Sequence, residues 1–320
     1  MDRIVLIGGG TGIVQVILGL RSYRQVGVTS VVTIADSGRR SGELRTQLGV
    51  LPPGDLLNSL YALANEEEML QILSHQLPPG TLGSNHGFTL GHLYLAIASR
   101  EVGMQRAVDL LSEPLKVNSK DRVLAVSEEK TDLVAILADG TRIVGEANID
   151  VPKHNPDIPI KEIFLDPPVH TSERCVEEIV SARKLVIGPG DLFTSVVPNL
   201  LVKGIPEAIR RAKEKGAVVI YVVNLMTKRG ETDGYSVGDF VSVVQRYLGT
   251  GVDIVICDST PRLPDRIREA YEQEGKHVVT LDPERLGGLK VKVIPAELRH
   301  SNDPGRHDPN KLAEAILRAA

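Results

Sequence analysis

The chain contains no tryptophan, and aromatic residues make up only 3% of its 320 residues. A core without large aromatic side chains is built mainly from valine, isoleucine, leucine and alanine, and such residues favour buried parallel strands. Cysteine is also scarce, because Cys175 and Cys257 are the only two. Their number and spacing exclude a disulfide framework and a zinc motif, so we expect two reduced, buried thiols in a cytoplasmic protein.

No excess of positive charge is present, because 37 lysines and arginines stand against 41 aspartates and glutamates, a net charge of −4. A protein that binds nucleic acid through its phosphates usually has a basic excess, so nucleic acid is not an expected partner. No run approaches the roughly 18 apolar residues of a membrane span. The first residues, MDRIVLIGGG, lack the pattern of a signal peptide. We therefore expect a cytoplasmic protein with no membrane span.

The order of the apolar runs predicts a parallel sheet. A strand at 3–7, a helix at 13–23 and a strand at 28–35 form a β–α–β start. The same alternation returns later, with strands at 184–187, 217–223, 253–257 and 291–295. Because the two parts continue one pattern, we predict a single α/β domain over residues 1–320. Its sheet should be doubly wound and mostly parallel.

The middle of the chain has a different character. Three segments between 122 and 147 alternate apolar and polar side chains, and Asp139-Gly140 is a hairpin turn signal. This pattern predicts a small antiparallel meander at 118–150, inserted into the α/β chain. A further short strand is predicted at 160–165, in a stretch that is rich in proline and charge.

A glycine turn follows the first strand. Glycines let backbone amides approach a phosphate, and the N-terminus of the following helix adds partial positive charge; a purely structural turn is the alternative. Asp36 ends the second strand, where dinucleotide folds bind a ribose hydroxyl. However, Ile13 stands where a GxGxxG motif needs its third glycine, so the dinucleotide fingerprint is incomplete. The candidate phosphate-binding residues are Gly9, Gly10, Thr11 and Gly12.

Two later strands also end in polar loops, LVIGPGDLFTSVVPNLL at 185–201 and VVNLMTKRGETDGYS at 222–236. Ligands of open α/β sheets bind at the carboxyl ends of the parallel strands. We therefore expect one cleft shared by Gly10, Gly190 and Asn224, with capped turns as the alternative. The candidate ligand-binding residues of these loops are Gly190, Thr194, Ser195, Asn199, Asn224, Thr227, Thr232 and Asp233.

A charged segment at 35–58 contains two acids with metal-binding potential, Asp36 and Asp55. Mg²⁺ prefers a few carboxylates together with substrate phosphates, so it is the candidate cofactor, and Asn58 is a further candidate ligand-binding residue. Arginines in this segment could clamp a phosphate. A solvated charged loop is the alternative, and Asp55 is also a candidate helix N-cap.

These motifs and others form a pattern that extends over nearly the whole chain. They are IGGGTG at 7–12, VVTIADSGRRSGELR at 31–45, PPGDLLN at 52–58, GPGDLFTSVVPNLL at 188–201, NLMTKRGETDGYS at 224–236, AYEQEG at 270–275 and RHDP at 306–309. In these motifs the chain resembles the gluconeogenesis factor family, which is related in fold to 2-phospho-L-lactate transferase, an enzyme of deazaflavin cofactor synthesis. The resemblance implies a Rossmann-like α/β fold. Asp191 departs from the family pattern, which has serine there.

The resemblance also implies a function. It points to a regulatory protein that binds UDP-sugars such as UDP-N-acetylglucosamine or UDP-glucose and is linked to cell shape and to growth on gluconeogenic carbon sources. By resemblance, Tyr271 would contact this ligand and Arg306 would pair with its diphosphate; an ion pair of Arg306 with Asp303 or Asp308 is the alternative. A second hypothesis is an enzyme that transfers a phospholactyl group to a deazaflavin hydroxyl. An NAD-dependent oxidoreductase is a third, and a homodimer is a candidate assembly.

Overall fold

The computed structural model describes residues 2–260 and 263–319. Within these ranges the chain forms a seven-stranded parallel sheet and a separate three-stranded antiparallel sheet. In chain order the strands are β1 (Asp2–Gly8), β2 (Val26–Val32), β3 (Arg122–Ala125), β4 (Asp132–Leu137), β5 (Arg142–Val144), β6 (Ile160–Asp166), β7 (Lys184–Ile187), β8 (Val218–Val222), β9 (Ile254–Asp258) and β10 (Lys292–Ala296). The predicted α/β fold with a small antiparallel sheet is confirmed.

Fourteen α-helices occur in the described ranges; most of them connect strands of the large sheet, α7 belongs to the insertion, and α14 follows the last strand. They are α1 (Gly10–Leu20), α2 (Arg39–Leu48), α3 (Gly54–Leu63), α4 (Glu67–Ser74), α5 (Leu90–Val102), α6 (Met104–Ser112), α7 (Glu146–Asp150), α8 (Glu173–Val180), α9 (Val197–Leu200), α10 (Ile205–Glu214), α11 (Val237–Leu248), α12 (Asp265–Gln273), α13 (Pro283–Gly287) and α14 (Pro309–Arg318). A π-helical turn at Leu192–Val196 precedes α9. None of the helices in the described ranges is long and apolar enough to cross a membrane.

The strand order of the large sheet is β10-β9-β8-β7-β1-β2-β3. The chain therefore winds outward from β1 through β2 to β3, and then returns to the other side of β1 to form β7 through β10. Such a reversal leaves a crevice between the two central strands at their carboxyl ends, where ligands of open α/β sheets bind. Here the crevice lies between the ends of β1 and β7, which are adjacent and parallel.

The core contains mainly aliphatic side chains, as the scarcity of aromatic residues predicts. All seven residues of β2 are buried, and the last five residues of β1 are buried as well. Strands that are buried on both faces read as continuous apolar runs rather than alternating ones. The cysteines also lie in the core, where burial raises the pKa of the Cys175 thiol and of the Cys257 thiol to about 11. Both thiols are therefore neutral and unreactive at physiological pH.

The bounds predicted for the antiparallel insertion need correction. β3, which the sequence places in the meander at 118–150, is instead the edge strand of the large sheet and pairs in parallel with β2. The third strand of the small sheet is β6, which pairs with β4 outside the predicted range. A four-residue strand carries too little pattern to specify its partner. The pairing of β3 is decided by the long connection that returns the chain to the edge of the sheet.

Candidate functional site

The two glycine turns approach each other at the carboxyl ends of β1 and β7. A Cβ atom on Gly12 would lie 2.4 Å from the carbonyl oxygen of Pro189 and 3.0 Å from the amide nitrogen of Gly190. Gly10, the first residue of α1, has a φ of +65°, a backbone conformation that favours glycine. The backbone of each turn is therefore exposed at the same point of the crevice, with no side chain between the turns.

A cavity of about 520 Å³ is lined by both turns, and we call it the crevice cavity. The Asn224 side chain, after β8, accepts a hydrogen bond from the Gly190 amide at 3.1 Å, which fixes the third strand end beside the second turn. The predicted convergence of these strand ends is thus confirmed, while ligand binding remains a prediction. Of the predicted site residues, the crevice cavity is lined by Gly10, Thr11, Gly12, Gly190, Ser195, Asn224, Thr227, Tyr271 and Arg306.

Tyr271 and Arg306 reach the crevice cavity from the C-terminal part of the chain. Tyr271 lies on α12 and donates a hydrogen bond from its hydroxyl to Asp303 at 3.1 Å. Arg306, in the loop before α14, forms an ion pair with Asp303 in which Nε and Oδ2 are 3.0 Å apart. The alternative ion pair considered for Arg306 is therefore present. Arg306 still lines the crevice cavity, and 67% of its side chain remains exposed.

A second cavity of about 340 Å³ lies beside the first, and we call it the acidic cavity. Its wall includes Asp36, Asp55 and Asn58, together with Glu146 from α7 of the insertion. The Asp55 carboxylate accepts a hydrogen bond from the Gly10 amide at 2.8 Å. Asp55 therefore does not cap α3, as its sequence position suggested, but connects the acidic cavity with the first glycine turn.

Carboxyl groups of the acidic cavity have unusual proton affinities. Burial, followed by the nearby charge of Asp36, raises the pKa of Asp55 to about 7. Burial likewise raises the pKa of Asp36, and burial together with Asp36 raises the pKa of Glu146 to about 8. Clustered, desolvated carboxylates either take up protons or bind a cation. Binding of a divalent cation by Asp36 and Asp55 therefore stays a prediction, with both carboxyl groups on the wall of the acidic cavity.

A second acidic group lies between the two cavities. Carboxylate oxygens of Asp150, Asp191 and Glu231 lie within 4.8 Å of one another, a donor set of the kind that binds metals. The ammonium group of Lys228 already lies among them, 2.7 Å from Asp191 and 2.9 Å from Glu231, and in contact with Asp150. Burial lowers the pKa of Lys228, but the three carboxylates more than offset this effect, so the net shift is upward. Lys228 therefore occupies the position between the three carboxylates and offsets part of their negative charge.

Several predicted site residues support the site without lining either cavity. Gly9 lies behind the first turn, because a Cβ there would be 2.6 Å from the Asp55 carboxylate. Thr194, Asn199 and Thr232 are buried, and Asp233 binds Arg229 and the Gly230 amide. Each of the three buried side chains has a hydrogen-bond partner. Thr194 donates to Glu231 at 3.2 Å, and Asn199 donates to the Ser195 carbonyl at 2.8 Å. Thr232 accepts from the Lys228 amide at 2.9 Å.

Comparison with known proteins gives one consistent family. The family model of 2-phospho-L-lactate transferase CofD matches residues 4–299. A gluconeogenesis factor from Halalkalibacterium halodurans is 38% identical over 320 residues, which cover 98% of this chain and 95% of that protein. A gluconeogenesis factor from Bacillus subtilis is 34% identical over 319 residues, which cover 98% and 97%. A crystal structure of a Bacillus halodurans protein superposes with a TM-score of 0.91 at 35% identity, covering 99% of this chain and 100% of that one.

The chain belongs to the CofD-like gluconeogenesis factor family. The resemblance inferred from its motifs is thereby confirmed. Where the family pattern has serine, this member has Asp191, and the structure shows that this aspartate pairs with Lys228 at 2.7 Å. Lys228 and Glu231 are not among the site residues predicted from the sequence, although both lie in the NLMTKRGETDGYS motif. The signal that could have identified them is a charged pair at i, i+3 within a ligand loop.

Proposed function

We propose that this gluconeogenesis factor family member binds a UDP-sugar in the crevice cavity and acts as a regulatory protein. Its output would be linked to cell shape and to growth on gluconeogenic carbon sources. One observation carries the proposal: Tyr271 and Arg306, which are distant in sequence from the glycine turns, line the same cavity as both turns. That cavity lies at the point of the sheet where nucleotides bind in related architectures.

The chemistry of the crevice cavity suits a nucleoside diphosphate sugar. Backbone amides at the start of α1 can donate to phosphate oxygens, and the helix N-terminus favours negative charge there. Arg306 offers a planar guanidinium that matches phosphate geometry, and Tyr271 offers an apolar ring face with a polar hydroxyl. A cavity of about 520 Å³ lies within the ordinary range for small-molecule sites.

Calorimetric titration with UDP-N-acetylglucosamine and with UDP-glucose tests the proposal. Removing a charge-assisted contact costs about 1.5–3 kcal/mol, so Arg306→Ala should weaken binding roughly tenfold to a hundredfold. Arg306→Lys should recover part of the loss, because an ammonium cannot reproduce the planar fork. Arg268→Ala is the matched control, since Arg268 is exposed on α12, pairs with Asp265 and Glu272, and does not line the crevice cavity.

The outcomes separate the proposal from its alternatives. If the wild-type protein releases no heat with either UDP-sugar, the proposed ligand class is wrong. If binding occurs but Arg306→Ala and Arg268→Ala have the same affinity as wild type, the ligand lies elsewhere and Arg306 serves only its ion pair with Asp303.

A transferase of the 2-phospho-L-lactate type is the second candidate function. It is favoured by the carboxylates of Asp36 and Asp55, which line the acidic cavity and would hold a divalent cation there. A bound Mg²⁺ would neutralise phosphate charge there. The test incubates the protein with Mg²⁺, a phospholactyl donor and a deazaflavin acceptor, and analyses the product by mass spectrometry. Product that is lost in Asp55→Asn would support this function, and no product above the protein-free control would reject it.

A further inference from the structure

The two side chains proposed to contact the ligand share one internal partner, the Asp303 carboxylate. The Tyr271 hydroxyl donates to Oδ1 at 3.1 Å, and the Arg306 guanidinium pairs with Oδ2 at 3.0 Å. Both oxygens of one anionic group thus engage an aromatic hydroxyl and a guanidinium on the wall of the crevice cavity. A phosphate group would use the same donors in the same way.

The loop that carries Asp303 is anchored at its base. Arg299 and Asp258 form a buried ion pair at 2.7 Å, and Arg299 also donates to the Pro304 carbonyl at 2.7 Å. Within the loop, the Arg306 amide donates to the Asp303 carbonyl at 2.9 Å. Gly305 lies directly against Tyr271, because a Cβ there would be 1.9 Å from the tyrosine hydroxyl. The contact of Asp303 with both donors is therefore built into the loop.

Among the described residues, the three basic side chains that line the crevice cavity, Lys228, Lys276 and Arg306, each have a carboxylate partner. Lys228 is held by the three carboxylates described above, and Lys276 pairs with Glu274 at 2.7 Å. Arg306 pairs with Asp303, whose side chain is 44% exposed. A phosphate that takes over the Arg306 guanidinium or the Tyr271 hydroxyl therefore replaces the Asp303 carboxylate, and this exposed single pair is easier to replace than the three-carboxylate group around Lys228.

We propose that Asp303 is an internal competitor for the ligand's phosphate, occupying Tyr271 and Arg306 in the free protein until a diphosphate displaces it. The inference rests on the proposed function and adds a residue that sets affinity and selectivity. A carboxylate with one negative charge competes well against singly charged anions. A diphosphate carries more charge and more acceptor oxygens, so it displaces Asp303 more readily. The loop thereby favours diphosphate ligands over monoanionic ones.

The test removes the charge of Asp303 and keeps its shape. Asp303→Asn retains an acceptor for the Tyr271 hydroxyl but no longer competes as an anion. Binding of UDP-N-acetylglucosamine and of inorganic pyrophosphate is measured by calorimetry for wild type and variant. Because an exposed ion pair is worth up to about 1 kcal/mol, which is about a fivefold change in affinity, we expect both ligands to bind roughly two- to fivefold more tightly to the variant. Asp303→Ala should act in the same direction, which guards against a special effect of asparagine.

Asp308→Asn is the charge-matched control. Asp308 caps α14 by accepting from the Asn310 and Lys311 amides, both at 3.0 Å, and asparagine is an equally good cap. It does not line the crevice cavity, so its removal should change affinity by less than about twofold. If Asp303→Asn and Asp308→Asn increase the affinity equally, the increase comes from the change in net charge and the inference is wrong.

The remaining outcomes separate this inference from the proposed function. Unchanged or weaker binding by Asp303→Asn would show that the carboxylate positions Arg306 rather than competing with the ligand. If wild type binds pyrophosphate but no UDP-sugar, the proposed ligand is wrong, and the pyrophosphate comparison alone decides the role of Asp303. If neither ligand binds wild type or variant, the competitor role is rejected together with the site.

Discussion

Replacing Lys228 with methionine should destabilise the protein in a strongly pH-dependent way. Methionine fills a similar volume but removes the ammonium that lies among Asp150, Asp191 and Glu231. The critical partner is Glu231, whose side chain is fully buried and lies 2.9 Å from the lysine nitrogen. Without Lys228 this carboxylate must either remain charged in the interior or take up a proton.

The magnitude follows from those two options. Breaking a buried ion pair by removing one partner costs about 3–5 kcal/mol when the remaining group stays charged. Burial already raises the pKa of Glu231 to about 7, although Lys228 lowers it. Loss of Lys228 removes that lowering effect, so the pKa rises further. At pH 5.5 the variant can keep Glu231 protonated and should lose only about 1 kcal/mol, the net value of ordinary hydrogen bonds.

In both proteins the unfolding free energy falls as the pH rises, but the pH range over which it falls is different. An acid with a raised pKa in the folded state contributes stability at low pH, and this contribution is lost as the pH rises through the folded-state pKa. In wild type the loss ends near the Glu231 pKa of about 7. In Lys228→Met it continues to higher pH. The difference in unfolding free energy between the two proteins should therefore widen by up to about 1.4 kcal/mol per pH unit above pH 7, to about 3 kcal/mol at pH 8.5.

Urea unfolding at pH 5.5 and pH 8.5 measures this difference. Lys213→Met is the matched control, because Lys213 is similarly shielded but pairs at 2.9 Å with the more exposed Asp253. It should lose at most about 1 kcal/mol at either pH. The double variant Lys228→Met/Glu231→Gln should regain more than half of the loss at pH 8.5. An equal loss at both pH values, or no recovery in the double variant, would refute the reasoning.

Two further predictions concern the turns and the acidic cavity. Gly12→Ala should lower the unfolding free energy, measured with urea, by about 1–3 kcal/mol, because the added Cβ would lie 2.4 Å from the Pro189 carbonyl oxygen. Gly10→Ala should lower it by only about 1 kcal/mol through backbone strain, because its added Cβ has no contact closer than 3.5 Å. The stabilising effect of protonated Asp55 should disappear as the pH rises through its pKa of about 7, so wild type should melt at a lower temperature at pH 8 than at pH 6. Asp55→Asn should show a smaller difference, and an equal one would contradict the assignment.

The sequence alone predicts the parallel sheet, the glycine turns and the family. The first strand, its glycine turn and α1 follow from a short apolar run, from residues that favour tight turns and from helical periodicity, all of which act within a few neighbouring residues. The convergence of Gly10, Gly190 and Asn224 also follows, because parallel strands present their carboxyl ends at one edge of a sheet. Tyr271 and Arg306 were found through the family's motifs and not through local pattern.

Only the tertiary structure reveals which charges meet. Lys228 lies 78 residues from Asp150, and Gly10 lies 45 residues from the Asp55 carboxylate that accepts its amide hydrogen bond. The edge position of β3 was likewise set by a long connection and not by its four residues. Electrostatic interaction depends on separation and burial, and both are set by how distant elements pack. The same acids that look like a solvated charged loop in the sequence therefore become a desolvated group with raised pKa values in the folded protein.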